Sequence, residues 1–166
     1  MLNTLKKLGE LAQVIKSETR VSLDISDCAA VADFCAASCN WDLDECIENL
    51  DSENNFYGKS NKLFIVDGDK NIAIDIISWC VREMVAYRSF TNLNGYSHIN
   101  DMWEKLDKDV RIKHLIALGI ELYKVSDNVG KALDAIEETY LDGGMQIFID
   151  MKKYNNKSFI LVKILG

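Results

Sequence analysis

The sequence predicts an α+β fold in a single domain, with five to six helices packed against two β-hairpins that form a small antiparallel sheet. Three observations carry this. Apolar residues recur at 3- and 4-residue steps through most of the chain, whereas segments near 63–74 and 145–165 alternate or run continuously apolar around turn-forming Gly, Asn and Asp. A length of 166 residues suits one domain with a substantial core, and no internal repeat or Gly/Ser-rich linker divides it. Finally, 48% hydrophobic and 27% charged residues is an ordinary globular balance, which excludes a disordered chain, and no stretch of 18 apolar residues marks a membrane span.

The elements follow in order. An acidic helical part is expected over 1–58: Leu2, Leu5, Leu8, Leu11 and Ile15 outline a first amphipathic helix. A brief alternation at Val21, Leu23 and Ile25 leads into the series Ile25, Cys28, Ala32, Cys35, Cys39, Leu43, Cys46 and Leu50, which predicts one core-facing helix or a pair. The polar segment 51–61 reads as a loop. Leu63–Val66 and Ile72–Ile74 flank Asp67-Gly68-Asp69-Lys70-Asn71, a turn sequence, and predict a hairpin over 62–76. The helical part 77–142 begins with Ile77, Cys80, Val81, Met84 and Val85. It continues through the seams Ile99/Met102/Leu106/Val110 and Val129/Leu133/Ile136/Tyr140, and ends at Gly143-Gly144. A C-terminal hairpin over 145–165 closes the list of elements. Its second strand holds Phe159-Ile160-Leu161-Val162, apolar at every position, so both faces of that strand are expected to be covered by helices or by a second subunit, and a homodimer is one expectation.

Charge is distributed unevenly. The formal net charge is −7, and all of the excess lies before residue 84. Between Arg20 and Lys59 the chain carries Asp24, Asp27, Asp33, Asp42, Asp44, Glu45, Glu48, Asp51 and Glu53 without a single Lys or Arg. Such a segment repels phosphate and attracts basic surfaces, so nucleic acid is excluded as a direct ligand there and a basic protein is the expected partner. The expected binding residues are Asp33, Asp42, Asp44, Glu45, Glu48, Asp51 and Glu53, with Trp41 beside them as an aromatic anchor. Met1–Ile15 lacks the apolar core and small-residue cleavage site of a signal peptide, and with five cysteines, an odd number, a cytoplasmic protein without a disulfide framework is expected. Proline is absent, so Gly, Asn and Asp must shape the loops.

Cys28, Cys35, Cys39 and Cys46 are spaced by 7, 4 and 7 residues, which lines them up along a helix. They read as small buried hydrophobes rather than zinc ligands, because tetrahedral ligation draws on paired C-x₂₋₄-C units and only Cys35 and Cys39 approach that spacing. No cofactor is expected. The chain has no G-x-G-x-x-G, H-E-x-x-H, G-x-S-x-G or C-x-x-C. The spacing of Asp67, Asp69, Asn71 and Asp75 imitates a calcium loop, but Ile72 stands where the loop needs Gly and Ser78 where it needs Glu.

The chain resembles, in general character and through no specific motif, the acidic inhibitors encoded by phages and mobile elements, among them antagonists of restriction or CRISPR nucleases and immunity proteins that neutralise toxins. The sequence therefore predicts a non-enzymatic interaction protein that docks its acidic surface on a basic, nucleic-acid-binding protein. The alternatives are a toxin-neutralising immunity protein and a small metal-dependent hydrolase or nuclease. The latter would use Asp150-x-Lys152 with Asp142 or Asp75 as further ligands, or His98 or His114 as a base.

Overall fold

The computed structural model describes residues 2–55, 59–68, 72–90 (84–90 by backbone alone), 105–107, 109–110, 113, 129–132, 134 and 146–165. Helix α1 spans Leu2–Thr19, α2 Ile25–Cys39 and α3 Leu43–Leu50, followed by a 3₁₀ turn at Ser52–Asn54. Strand β1 is Lys59–Asp67, helix α4 Ala73–Phe90, and strands β2 and β3 are Gln146–Tyr154 and Lys157–Leu165. The three strands form one antiparallel sheet in the order β1-β3-β2, so the fold is α+β as the sequence predicts. By internal contacts the chain divides into two compact units. The first comprises Met1–Phe56, Asn61–Gly68 and Asp150–Val162; the second comprises Tyr57–Ser60, Asp69–Ile149 and Lys163–Gly166.

The first unit holds the N-terminal helices. On α1 only Leu8, Leu11 and Ile15 of the apolar stripe are buried, while Leu2 and Leu5 stay exposed. The helix ends at Arg20, which adopts a left-handed φ of 61° and donates its N–H to the Lys16 carbonyl. Lys62 Nζ bonds the Glu18 carbonyl at 2.6 Å, satisfying an orphan acceptor of the last turn. Helix α2 starts on Asp24, whose side chain accepts the Asp27 N–H, and stops at Asn40, left-handed at φ 58°. Asp42 then caps α3 through a full capping box with Glu45. Two helices therefore occupy the region where one long stripe was conceivable, because Asn40 tolerates the left-handed conformation and Asp42 immediately restarts the helix.

Phe159 and Leu161 of β3 join Leu8, Leu11, Ile15, Cys28, Val31, Phe34, Cys35, Cys46, Leu50 and Leu63 in one core. Ile160 and Val162, which point the other way along the strand, are 1% and 0% exposed. Both faces of β3 are thus covered within this chain, and its double apolarity requires no second subunit. The hairpin β2–β3 turns on Asn155 and Asn156 alone, at φ 47° and 62°, the paired positive values of a type I′ turn. The Gly68 N–H bonds the Asn156 carbonyl at 2.8 Å, setting the end of β1 beside the start of β3.

The expected hairpin over 62–76 is not formed. Ile72-Ala73-Ile74 does not return as a strand; Ala73 begins α4, and β1 pairs with β3 instead. Short apolar runs fit either period, and here Ala73, Ile76, Ile77, Cys80 and Val81 supply the helical spacing that wins, all of them buried in the second unit. The expected loop 51–61 is likewise shorter, since β1 already begins at Lys59. The helical seam Ile99/Met102/Leu106/Val110 is interrupted as well. Leu106 and Asp107 lie outside helix, the Asp107 carboxylate accepts the Val110 N–H as a new cap, and Val110 is exposed. Residues 129–132 are helical, with Val129 and Ala132 buried, and the rest of the second seam lies outside the described residues. Within the second unit, Ser60 Oγ donates to Glu83 at 2.8 Å, which satisfies a buried hydroxyl.

Because Leu161 sits in the core of the first unit, L161A is expected to destabilise the fold by about 2–5 kcal/mol in denaturant unfolding, whereas M151A on exposed β2 changes it by less than about 0.5 kcal/mol.

Candidate functional site

The acids of segment 24–53 all lie in the first unit, and the fold divides them into two groups. One group builds the structure. Asp24 caps α2, Asp42 caps α3, Glu45 closes the capping box by accepting the Asp42 N–H, and Asp51 caps the 3₁₀ turn through the Glu53 N–H. Asp27 is 5% exposed and pairs with Lys157 at 3.3 Å. The Lys157 side chain is itself mostly covered, and the neighbouring Tyr154 hydroxyl meets Ser26 Oγ at 2.8 Å. Both residues flanking the β2–β3 turn thus brace the first turn of α2.

The second group faces water. Asp44 and Glu48 lie, with the capping Glu45, on the outer side of α3, because Cys46 and Leu50 are buried and Leu43 and Ile47 pack beside them on the core. Asp44 meets Lys7 of α1 at 2.8 Å. This contact raises the Lys7 ammonium above its ordinary pKa, chiefly through the hydrogen bond itself, with Asp42 and Glu10 adding to the attraction. The lack of bases within residues 21–58 is therefore offset in space by a lysine from α1, which the local composition could not reveal. Asp33 on α2, Glu48 on α3 and Glu53 on the 3₁₀ turn are exposed and have no side-chain hydrogen bond or ion pair with any described residue. Glu48 stands in the second half of α3, where the helix dipole disfavours negative charge, and no base lies in the last turn to relieve it. Trp41, between α2 and α3 in the chain, keeps part of its ring accessible. It is half-buried and packs on the core between α2 and α3.

The cysteine stripe is interior. Cys28, Cys35 and Cys46 are fully buried in the first unit and Cys39 is half-buried beside them. The Cys35 thiol is hydrogen-bonded to that of Cys46, and this contact together with burial pushes Cys35 far up. Burial, with the charges of Asp27 and Asp24, pushes Cys28 up to about 11, and burial, with the charge of Glu83, holds the Cys80 thiol in the second unit well above its ordinary value. Thiols held protonated in this way are neither nucleophiles nor ready ligands at neutral pH. Among the described residues no three side chains of His, Cys, Asp or Glu are grouped as a metal ion requires. Asp150 of the D-x-K pattern is taken up by Ser38 Oγ and by the Met151 N–H. His98, His114 and Asp142 lie outside the described residues, and Asp75 sits exposed in the first turn of α4 in the second unit.

Two signals for the structural acids were present in the sequence: D-x-x-D at 24–27 and D-x-x-E at 42–45 are cap signatures. D42A should therefore cost about 1 kcal/mol of stability, measured by denaturant unfolding, whereas E48K should leave stability unchanged or slightly raised. Since buried Cys28 holds its proton to about 11 while an unfolded thiol loses it near 9, the folded state binds more protons across that window. The Cys28 contribution to stability is accordingly expected to be constant below about pH 9 and to be lost between pH 9 and about 11, with C28A reducing the slope in alkaline denaturant titrations. No protein-family profile, curated protein or solved structure matches this chain.

Proposed function

We propose that this chain is a non-enzymatic inhibitor that docks the acidic surface of α3 and the adjoining 3₁₀ turn on a basic, nucleic-acid-handling protein and occupies the site where that protein would hold nucleic acid. One observation carries the reading: Asp33, Glu48 and Glu53 are exposed, uncompensated among the described residues and not used by the fold. Like charge on Asp44 and Glu48, one turn apart on α3, costs helix stability unless something outside the helix relieves it, and Lys7 relieves only Asp44. A basic partner would relieve both. Its approach would be accelerated by the negative field, and the lifetime of the complex would depend on the desolvated centre of the interface. In this role the chain mimics the charge of a nucleic acid rather than binding one, which suits an anti-defence protein directed at a restriction or CRISPR nuclease. No helix among the described residues is long and apolar enough to cross a membrane, and the five cysteines, odd in number and mostly buried, suit the reducing cytoplasm.

The residues to reverse are those the fold does not use. The triple variant D33K/E48K/E53K is expected to fold as the parent does and to lose a basic protein that the parent captures from lysate of its source at low salt and releases as salt rises. Reversal of Asp42 and Glu45 would confound this test by removing the cap of α3. Equal capture by the triple variant, or no capture by a monodisperse parent, overturns the reading.

A further inference from the structure

The two edges of the sheet are treated differently. Along β1, Ser60, Asn61, Leu63 and Val66 are buried, and the Asn55 side-chain amide bonds both the carbonyl and the N–H of Asn61, closing that edge in the manner of a strand. Strand β2 lies at the other edge, and six of its nine residues are exposed, Phe148 and Met151 among them. A strand of this length whose outer backbone groups meet no strand among the described residues is a template for pairing.

The register of that edge follows from the hairpin. A two-residue turn makes Tyr154 and Lys157 a pair that exchanges both backbone bonds, so even-numbered residues of β2 turn their N–H and C=O toward β3 and odd-numbered ones turn theirs outward. Two contacts agree with this. Lys163 Nζ lies 5.9 Å from the Phe148 ring centroid, as it should if these residues are opposite, and the outward N–H of Met151 finds no strand and bonds its own neighbour, Asp150 Oδ1, at 2.9 Å.

We propose that β2 is the seam of a homodimer, in which two copies of this chain pair their β2 strands antiparallel about a two-fold axis at Met151. Charge complementarity selects the second copy as occupant and fixes the register. Centring the axis on Met151 sets Asp150 of each copy opposite Lys152 of the other, twice, at non-hydrogen-bonded positions where side chains approach most closely. Centring it on Asp150 or on Lys152 opposes like charges. In the Met151 register the outward groups of Met151 pair with those of the other Met151, and Ile149 pairs with Lys153. Asp150 Oδ1 leaves the Met151 N–H for the opposing Lys152, while Oδ2 keeps Ser38. The seam uses none of Asp33, Glu48 and Glu53, so each idea can fail without the other.

Sedimentation velocity and native mass spectrometry of the full chain over a concentration series test it. The mass is expected to climb from 18.8 kDa toward twice that value. K152D and D150K each remain monomeric, and the charge-swapped D150K/K152D recovers the dimer. M151P, which removes an outward N–H that β3 does not use, also stays monomeric with an unchanged far-UV spectrum. A chain that stays at 18.8 kDa at the highest concentration overturns the proposal, and so does a dimer that survives both K152D and M151P. If a single charge variant melts early, the swapped variant still decides: recovery of the dimer supports the seam, and a folded but monomeric double variant overturns it.

Discussion

Four consecutive apolar residues, Phe159 to Val162, can leave water only if both faces of the strand that carries them are covered, and that requirement organises the molecule. It makes β3 the central strand, obliges β1 and β2 to flank it, and gives α1, α2 and α3 a face on which to bury their stripes. Each fully buried large side chain in this set is worth about 1.5–3 kcal/mol relative to exposure. A handful of them is comparable to the whole stability of an ordinary domain, and the polar contacts then choose among arrangements more than they supply the driving force.

The polar contacts are concentrated where helices begin and end. With no proline in the chain, turns are set by Asn and Asp: left-handed Asn40, Asn155 and Asn156, and caps at Asp24, Asp42 and Asp51. Much of the acidity of the N-terminal half is thereby accounted for by architecture. Glu18 shows the same economy, since its carboxylate accepts from Ser52 while its carbonyl is held by Lys62, joining α1, the 3₁₀ turn and β1. What remains after these assignments is a small set of exposed carboxylates without a side-chain partner among the described residues, and this residue of charge is more informative than the total.

Long regular periodicity was legible from the sequence. The stripes of α1 and α2, the C-terminal hairpin and the two-sided burial of β3 all follow from the spacing of apolar residues. The pairing of β1 was not, because a strand's partner is decided by which apolar face needs cover, and β3 lies some ninety residues further along the chain than the adjacent Ile72–Ile74 segment that seemed to offer a hairpin. The acidic stretch was visible as composition, but its sorting was hidden. The lysines that offset Asp44 and Asp27 come from residues 7 and 157, and no local window contains them. The packing of Trp41 was hidden for a related reason: flanking carboxylates say what surrounds a side chain in sequence, whereas its half-burial against the core is a matter of tertiary structure.

The first unit is assembled from three separated pieces of chain, the last of which is the hairpin that carries Phe159 and Leu161. During synthesis the N-terminal helices leave the ribosome long before the strand that seals them. Until it arrives, Leu8, Leu11, Ile15 and Phe34 have no sheet to pack on. Closure must await a contact spanning well over a hundred residues, and the loop entropy of that step, with no prolyl isomerisation to compete for the slow phase, makes topology the pacemaker of folding. The half-made protein therefore exposes the apolar faces of its N-terminal helices together with an Asp27 that Lys157, which comes with the hairpin, cannot yet pair.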